Sequence, residues 1–210
     1  MIPVSVISLQ NFLVKIEFLE TIKVLDGRIE NLSYHQKRYE SVLASYGVTD
    51  YKDLGEFLSP PLKGLYRCRL VYRLDKIVEV TYHPYVKRSV KHLKTVMANE
   101  LDYAKKYADR EALNALYAKR GSCDDILIIQ NALITDTSIA NVAFFDGVDW
   151  FTPKRPLLAG TTRQRLLDSG FLKLADIGIN ELSSFKAMAL MNAMIDFDII
   201  TDKNIREIIC

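Results

Sequence analysis

Short strand-like runs separated by turn signals dominate this sequence, and only a few stretches have helical spacing. Residues 15–24 partly alternate polar and apolar side chains, and Asp26-Gly27 supplies a tight turn, which together predict a strand and a hairpin. Apolar spacing over residues 34–46 predicts a helix, and the runs 64–74 and 76–82 predict two more strands. The first half of the chain is therefore predicted to be an α+β unit.

The second half has the same mixed character and follows a basic linker at residues 83–89. Its predicted elements are a long helix over 99–119, strands at 125–129 and 133–135, a hairpin over 141–152, a helix over 160–170, a buried strand over 187–194, and a terminal helix from about Lys203. The predicted organisation is a small domain over residues 1–84 and a larger domain over residues 88–210.

The composition is that of an ordinary globular protein. Of the 210 residues, 49% are hydrophobic and 26% are charged, which supplies enough apolar surface for a core. The net charge of +2 is small and evenly spread, so neither nucleic acid nor an anionic membrane is expected as a partner. No secretion signal and no run of ~18 apolar residues are present, and the scattered histidines offer no metal site. Three widely spaced cysteines argue against a disulfide framework and favour a reducing compartment, so a cytoplasmic location is predicted.

One segment, Gly160-Thr161-Thr162-Arg163, has the composition of an anion site at the start of a helix. The first backbone N–H groups of a helix and two threonine hydroxyls can bind a phosphate. Threonine is also an ordinary N-cap residue, so this segment by itself leaves a purely structural role open.

Four sequence blocks, taken in order, resemble the signature of the fold-type IV family of pyridoxal 5'-phosphate (PLP) enzymes. The blocks are Glu20-Thr21-Ile22 with Asp26-Gly27, Asn31-Leu32, Tyr34-His35 and Arg38; Ile134 to Phe144; Thr152-Pro153; and Leu157-Leu158 with Gly160 to Arg163. The family includes aminodeoxychorismate lyase and the aminotransferases of branched-chain and D-amino acids. The resemblance implies an α/β fold with a small domain and a larger pseudobarrel domain, a cofactor in the cleft between them, and a homodimer.

The resemblance also implies a role in PLP binding for the residues that match. Arg38 would pair with the cofactor phosphate, because a guanidinium suits a phosphate by bidentate geometry. The backbone amides of Thr161 and Thr162 and the Thr162 hydroxyl would complete the phosphate site. Asp136 would keep the pyridine nitrogen protonated, which makes the ring an electron sink. The family usually has the longer Glu at this position, and a turn or N-cap role for Asp136 stays open.

The lysine that would form the imine with PLP is predicted to be Lys106. It keeps the family's spacing of four residues to Arg110 and lies about thirty residues before Asp136, as in the family. Lys91 begins a lyase-like Lys-His-Leu string, but it lies too far from Asp136. The alternatives left open are Lys91, Lys94 and Lys105.

Two features bear on the reaction. The string Met191 to Met194 resembles the Asn-Ala-Leu of the lyase more than the Thr- and Ser-rich stretch of the aminotransferases, and Glu111 replaces a tyrosine of the branched-chain subgroup. A cofactor contact is implied for Asn192, although a core strand is the simpler interpretation; a polar amide in such a strand needs partners. Arg67 and Arg69 would face one side of a strand and suit substrate carboxylates, or they are surface residues of an edge strand.

The predicted function is the conversion of 4-amino-4-deoxychorismate to 4-aminobenzoate and pyruvate, a step of folate synthesis. Lys106 would remove a proton from the substrate carbon. The alternatives are an aminotransferase for branched-chain or D-amino acids, and a cofactor-binding or structural relative without catalysis.

Overall fold

The computed structural model describes residues 15–201 together with Ile205, Ile208 and Ile209. The chain forms two compact units. The first contains the described residues up to Val86 together with Lys105–Asp109, and the second contains Lys87–Ala104 and the described residues from Arg110 onward. The sequence divides the chain only once, near residues 84–88, and assigns Lys106 to the larger domain; in the structure, Lys106 belongs to the first unit. The predicted terminal helix lies largely outside the described residues.

The first unit is a four-stranded antiparallel sheet with one helix. Its elements are β1 (Phe18–Leu25), β2 (Arg28–Ile29), α1 (Leu32–Ala44), a 3-10 turn at Leu54–Phe57, β3 (Leu65–Tyr72) and β4 (Ile77–Pro84), and the strand order is β2-β1-β3-β4. Asp26 and Gly27 both have positive φ, as the hairpin signal predicts. Tyr39, Val42 and Leu43 of α1 are buried in one cluster with Phe18 and Leu70 of the sheet. The predicted strands and helix of this half are confirmed.

The predicted helix over residues 99–119 is wrong over most of its length. Only Glu111–Tyr117 is α-helical, and a 3-10 turn at Ala118–Arg120 follows it; the α-helix is named α2 here. Residues 98–110 instead follow an irregular path with isolated turns and a single β-bridge. Helix propensity is a weak preference that tertiary contacts readily override, and the contacts that override it here involve β1.

The segment Lys105–Asp109 pairs with the N-terminal end of β1. The Leu19 N–H donates to the Lys106 carbonyl at 2.8 Å, and the Ala108 N–H donates to the Glu17 carbonyl at 2.9 Å. Strand β2 pairs with Val24 and Leu25, at the other end of β1. The N-terminal end of β1 can therefore pair with the segment Lys105–Asp109 on this edge. The rings of Phe18 and Tyr107 lie 5.6 Å apart and add an aromatic contact.

The second unit is built on an eight-stranded mixed sheet. Its strands are β5 (Leu93–Met97), β6 (Asp125–Gln130), β7 (Leu133–Thr137), β8 (Asn141–Phe145), β9 (Trp150–Pro153), β10 (Leu172–Ala175), β11 (Ala187–Asn192) and β12 (Asp196–Thr201), with α2 and α3 (Thr161–Asp168) as its α-helices among the described residues. The order β10-β9-β8-β7-β6-β5 is extended by β11, which pairs with β8 and β12. The predicted mixed α/β fold is confirmed.

Three strands of the second unit, β5, β10 and β12, are absent from the sequence prediction. Each is short and carries polar residues among the apolar ones, so its own pattern is weak. Strand β5 pairs with β6, which is distant in the chain, whereas β12 pairs with β11, which directly precedes it. The hydrogen bonds of a neighbouring strand, rather than local propensity, make these segments extended.

Two observations concern the cysteines and the possibility of membrane-spanning helices. Cys68 is a buried free cysteine. Among the helices that the structure describes, none has both the length and the apolar character needed to cross a bilayer.

Candidate active site

Arg38, the predicted phosphate ligand, is held by a buried glutamate in the first unit. Its Nε lies 2.8 Å from Glu20 Oε1, and its Nη2 lies 2.6 Å from Glu20 Oε2. His35 Nδ1 lies 2.6 Å from the same Oε2. His35 and Arg38 are three residues apart on α1 and therefore project from one face of the helix. Glu20 on β1 is fully buried, while the Arg38 side chain is 13% exposed.

The charge of Arg38 determines the ionisation of Glu20. Burial raises the pKa of Glu20, but the Arg38 charge and the hydrogen bonds from His35 and Arg38 outweigh this effect and lower it to about 2. The carboxylate is therefore charged at neutral pH, and it fixes the direction of the guanidinium. Glu20 and His35 belong to the sequence blocks, but no role is predicted for them there. The sequence signal for Glu20 is its position as an acidic residue inside the apolar run of β1.

Lys106 is half-buried on the segment that pairs with β1. Partial burial suits an amine that must act as a nucleophile. Lys91 and Lys94 are both exposed. Lys105 is also half-buried, but its Nζ lies 5.0 Å from the centre of the Tyr46 ring in a cation–π contact. These positions support Lys106, which stays a prediction.

Asp136 is a buried carboxylate of β7 in the second unit. Its Oδ1 accepts a hydrogen bond from Asn141 Nδ2 at 2.7 Å, and its Oδ2 accepts one from the Leu158 N–H at 2.8 Å. The position inside a strand excludes the alternative role as a helix N-cap. Asn141 is part of the sequence block but has no predicted role.

The surroundings of Asp136 make it an unusually weak acid. Burial raises the pKa of Asp136 to about 7, although the hydrogen bonds from Asn141 and Leu158 and the charge of Arg163 act in the opposite direction. A carboxyl group in this state responds strongly to a cation placed beside it, because an opposite charge favours the ionised form. A protonated pyridine nitrogen is such a cation.

Thr161 and Thr162 are buried in the first turn of α3, and Gly160 is its N-cap. The first N–H groups of a helix have no partner inside the helix and favour an anion. A Cβ atom on Gly160 would overlap the amide oxygen of Asn141. Close packing therefore requires glycine here, and the predicted helix start is confirmed.

Asn192 and Arg110 both bind the turn that follows Asp136. Arg110 Nη2 donates to the Ser138 carbonyl at 2.8 Å, and Asn192 Nδ2 donates to the Ile139 carbonyl at 3.1 Å. Asn192 Oδ1 also accepts from the backbone N–H groups of the turn between β11 and β12. The amide in this apolar strand thus finds partners within the protein, and its contact with a cofactor stays a prediction.

Arg67 and Arg69 lie on β3, which is a central strand between β1 and β4. The interpretation of these arginines as residues of an edge strand is therefore wrong. Lys23 is the direct neighbour of Arg67 on β1, so the two side chains lie on the same face. Arg69 Nη1 lies 3.2 Å from Glu79 Oε2. The register of β1 and β3 places Lys23 beside Arg67, a neighbourhood that cannot be deduced from one strand alone.

The residues present fit PLP. The second unit joins a buried carboxylate, which suits a protonated ring nitrogen, to a glycine-led helix start with two buried threonines, which suits a phosphate. The first unit carries a guanidinium with a fixed direction and a half-buried lysine.

The sequence profile of the amino-transferase class IV family matches residues 78–201, more than half of the chain. An uncharacterised protein of Haemophilus influenzae is 36% identical over 181 residues, which cover 83% of this chain and 96% of that protein. A solved structure from Haemophilus somnus, provisionally named a 4-amino-4-deoxychorismate lyase, is 33% identical with a TM-score of 0.79 and covers 86% of this chain and 97% of its own.

A second solved structure, the PLP-bound form of a hypothetical aminotransferase from Mycobacterium tuberculosis, shares the fold. It is 16% identical with a TM-score of 0.71, over 90% of this chain and 82% of its own. The predicted family is confirmed by these similarities together. The chain belongs to the class IV aminotransferase family of PLP-dependent enzymes.

Proposed function

We propose that this protein binds PLP and converts 4-amino-4-deoxychorismate to 4-aminobenzoate and pyruvate, a step of folate synthesis. The observation that carries the cofactor assignment is the buried Asp136 carboxylate, which is hydrogen-bonded to the loop that begins the Thr161–Thr162 helix. The similarity to the Haemophilus somnus protein over most of both chains supports the choice of the lyase.

Each predicted cofactor ligand has a distinct task. When bound, PLP supplies an electron sink for the bonds that change at the substrate carbon. Asp136 in its ionised form holds a proton on the ring nitrogen. Arg38 and the N–H groups of Thr161 and Thr162 neutralise the phosphate. Asn192 stabilises the turn between β11 and β12, and we propose that it also contacts the cofactor phosphate.

Lys106 is the proposed catalytic residue. Its amine would be the covalent anchor for PLP, because a partly buried lysine can act as a nucleophile toward a carbonyl group. The Lys106 amine would also serve as the general base that accepts a proton from the substrate carbon. Loss of pyruvate leaves an aromatic product, so the main demands on the protein are orientation and proton transfer.

The substrate carries two carboxylates, and the first unit offers cations to bind them. Lys23 and Arg67 are neighbours on one face of the sheet, and Arg69 lies two residues further along β3 on the same face. We propose that Arg67 and Arg69 bind substrate carboxylates together with Lys23.

The first experiment identifies the lysine. The protein is incubated with PLP, reduced with borohydride and mapped by peptide mass. We expect a phosphopyridoxyl group on Lys106 in the wild type and in Lys105→Arg, and none in Lys106→Arg. A label on Lys91 or Lys94 would show that the assignment of Lys106 is wrong, and a wild type without any label would contradict PLP binding.

The second experiment separates the two reactions. Wild-type protein with PLP is supplied either with 4-amino-4-deoxychorismate or with an amino acid and a ketoacid. Formation of 4-aminobenzoate and pyruvate in equal amounts supports the lyase. A new amino acid in place of these products would establish the aminotransferase, and neither reaction would favour a non-catalytic relative.

We further propose a homodimer in the cytoplasm, as the resemblance to the fold-type IV family implies. The molecular mass in solution, measured by sedimentation or light scattering, tests the assembly. A mass equal to that of one 24.0 kDa chain would contradict the dimer.

A further inference from the structure

Asn141 closes a ring of three hydrogen bonds around Asp136. One amide N–H of Asn141 donates to Asp136 Oδ1 at 2.7 Å, and the other donates to the Leu158 carbonyl at 2.8 Å. The Leu158 N–H completes the ring by donating to Asp136 Oδ2 at 2.8 Å. Asn141 and Asp136 are both buried, so water does not compete well for these bonds.

The same amide also packs against the start of α3. Gly160 lies two residues after Leu158, and a Cβ atom on it would overlap the Asn141 amide oxygen. Asn141 therefore contacts the carboxylate, the loop and the N-cap of the helix. Among the described residues, it is the one side chain hydrogen-bonded to both Asp136 and this loop.

We propose that Asn141 is a positioning residue for PLP, which keeps the Asp136 carboxylate and the N-terminus of α3 at a fixed separation. This inference rests on the proposed function, in which Asp136 binds the ring nitrogen and α3 binds the phosphate. The ring and the phosphate belong to one small cofactor, so its two anchors must keep a constant distance. An asparagine amide suits this task because it has two donors in one plane.

Asn141 also influences when Asp136 is ionised. The charged group that faces Asp136 is Arg163 on α3, and the neutral donors are Asn141 and the loop N–H groups. The Asn141 bond lowers the pKa of Asp136, so its removal raises that pKa. PLP affinity should increase as Asp136 ionises, and the loss of Asn141 moves this increase to higher pH.

The test measures the dissociation constant of PLP from mildly acidic to mildly alkaline pH, by cofactor absorbance, for Asn141→Ala and Gly160→Ala. We expect roughly tenfold weaker binding in Asn141→Ala, the effect of one lost bond to a charged group. We also expect its pH midpoint to move upward. Gly160→Ala should shift both quantities in the same direction, because the new methyl group displaces the amide. The matched control Asn114→Asp changes an exposed asparagine of α2 and should leave both unchanged.

Two results separate the failure of this inference from that of the proposed function. If Asn141→Ala binds PLP within about twofold of the wild type at an unchanged pH midpoint, Asn141 is not a positioning residue, although PLP binding stands. If the wild type binds no PLP, both proposals are overturned. Gly160→Ala decides the question if Asn141→Ala does not fold, as judged by circular dichroism.

Discussion

Glu20 and Asp136 show how two buried carboxylates acquire opposite acidities. Glu20 contacts a full positive charge on Arg38, and its pKa falls to about 2 despite burial. Asp136 contacts neutral amide donors with Arg163 as a weaker influence, and burial raises its pKa to about 7. The partner of each carboxylate, rather than burial alone, therefore decides its charge at neutral pH.

At the residue scale, Glu20→Gln should destabilise the protein in a pH-dependent way. The pKa of Glu20 is lowered from 4.5 to about 2, so its contribution is complete above pH 4.5 and is lost as the pH falls toward 2. We expect the free energy of unfolding at neutral pH to decrease by about 3 kcal/mol, because Arg38 and His35 lose a charged partner. Urea denaturation at neutral and acidic pH measures this, and the difference from wild type should shrink in acid.

The control for this prediction is Asp50→Asn. The Lys52–Asp50 ion pair is exposed, with an Nζ–Oδ2 distance of 3.1 Å. Its loss should change the free energy of unfolding by less than about 1 kcal/mol. Equal destabilisation by both substitutions at neutral pH would contradict a special role for the Glu20 cluster.

At the scale of elements, the segment Lys105–Asp109 is the feature that most affects the proposed chemistry. Its backbone bonds to the N-terminal end of β1 involve the carbonyl of Lys106 and the N–H of Ala108, so the position of the lysine depends on strand pairing. The structure thus replaces the predicted helix with backbone pairing that fixes the main chain at Lys106.

Ala108→Pro should release this segment from β1. Proline has no N–H group, so the bond from Ala108 to the Glu17 carbonyl is lost. We expect the free energy of unfolding to decrease by about 1–3 kcal/mol, with less phosphopyridoxyl label on Lys106 after borohydride reduction. Ala108→Ser keeps the N–H group and should behave like the wild type. Unchanged labelling in Ala108→Pro would show that the pairing does not position Lys106.

At the scale of the whole molecule, the two units each contribute to the predicted cofactor set. Arg38 and Lys106 belong to the first, whereas Asp136, Thr161 and Thr162 belong to the second. A ligand that binds only the folded protein stabilises it by an amount that grows with the logarithm of the ligand concentration relative to its dissociation constant. The cofactor should therefore act as a stabilising component of the protein.

At a free PLP concentration of about one hundred times its dissociation constant, the free energy of unfolding should rise by about 2.7 kcal/mol. Denaturation with and without PLP measures the increase. At the same PLP concentration, Lys106→Arg should show a smaller increase, because the covalent link is lost. Pyridoxal, which lacks the phosphate, should also stabilise less; an equal effect of pyridoxal and PLP would contradict a phosphate site at α3.

The sequence by itself determined the family, the mixed α/β fold and several local structures, because these depend on neighbouring residues. Asp26-Gly27 specifies its turn through backbone preference, and Gly160 to Arg163 specify a helix start in the same local way. The order of the blocks around Arg38, Asp136 and Thr162 indicated the family without any knowledge of distances.

Only the tertiary structure decided which residues act together. Glu20 and Arg38 are 18 residues apart, and Leu158 reaches Asp136 across 22 residues; no periodicity encodes such contacts. The segment around Lys106 has a helical pattern, yet its backbone hydrogen bonds to the N-terminal end of β1 keep it out of a helix. Pairing and burial depend on residues that are distant in the chain, and they override local preference wherever that preference is worth less than the contacts.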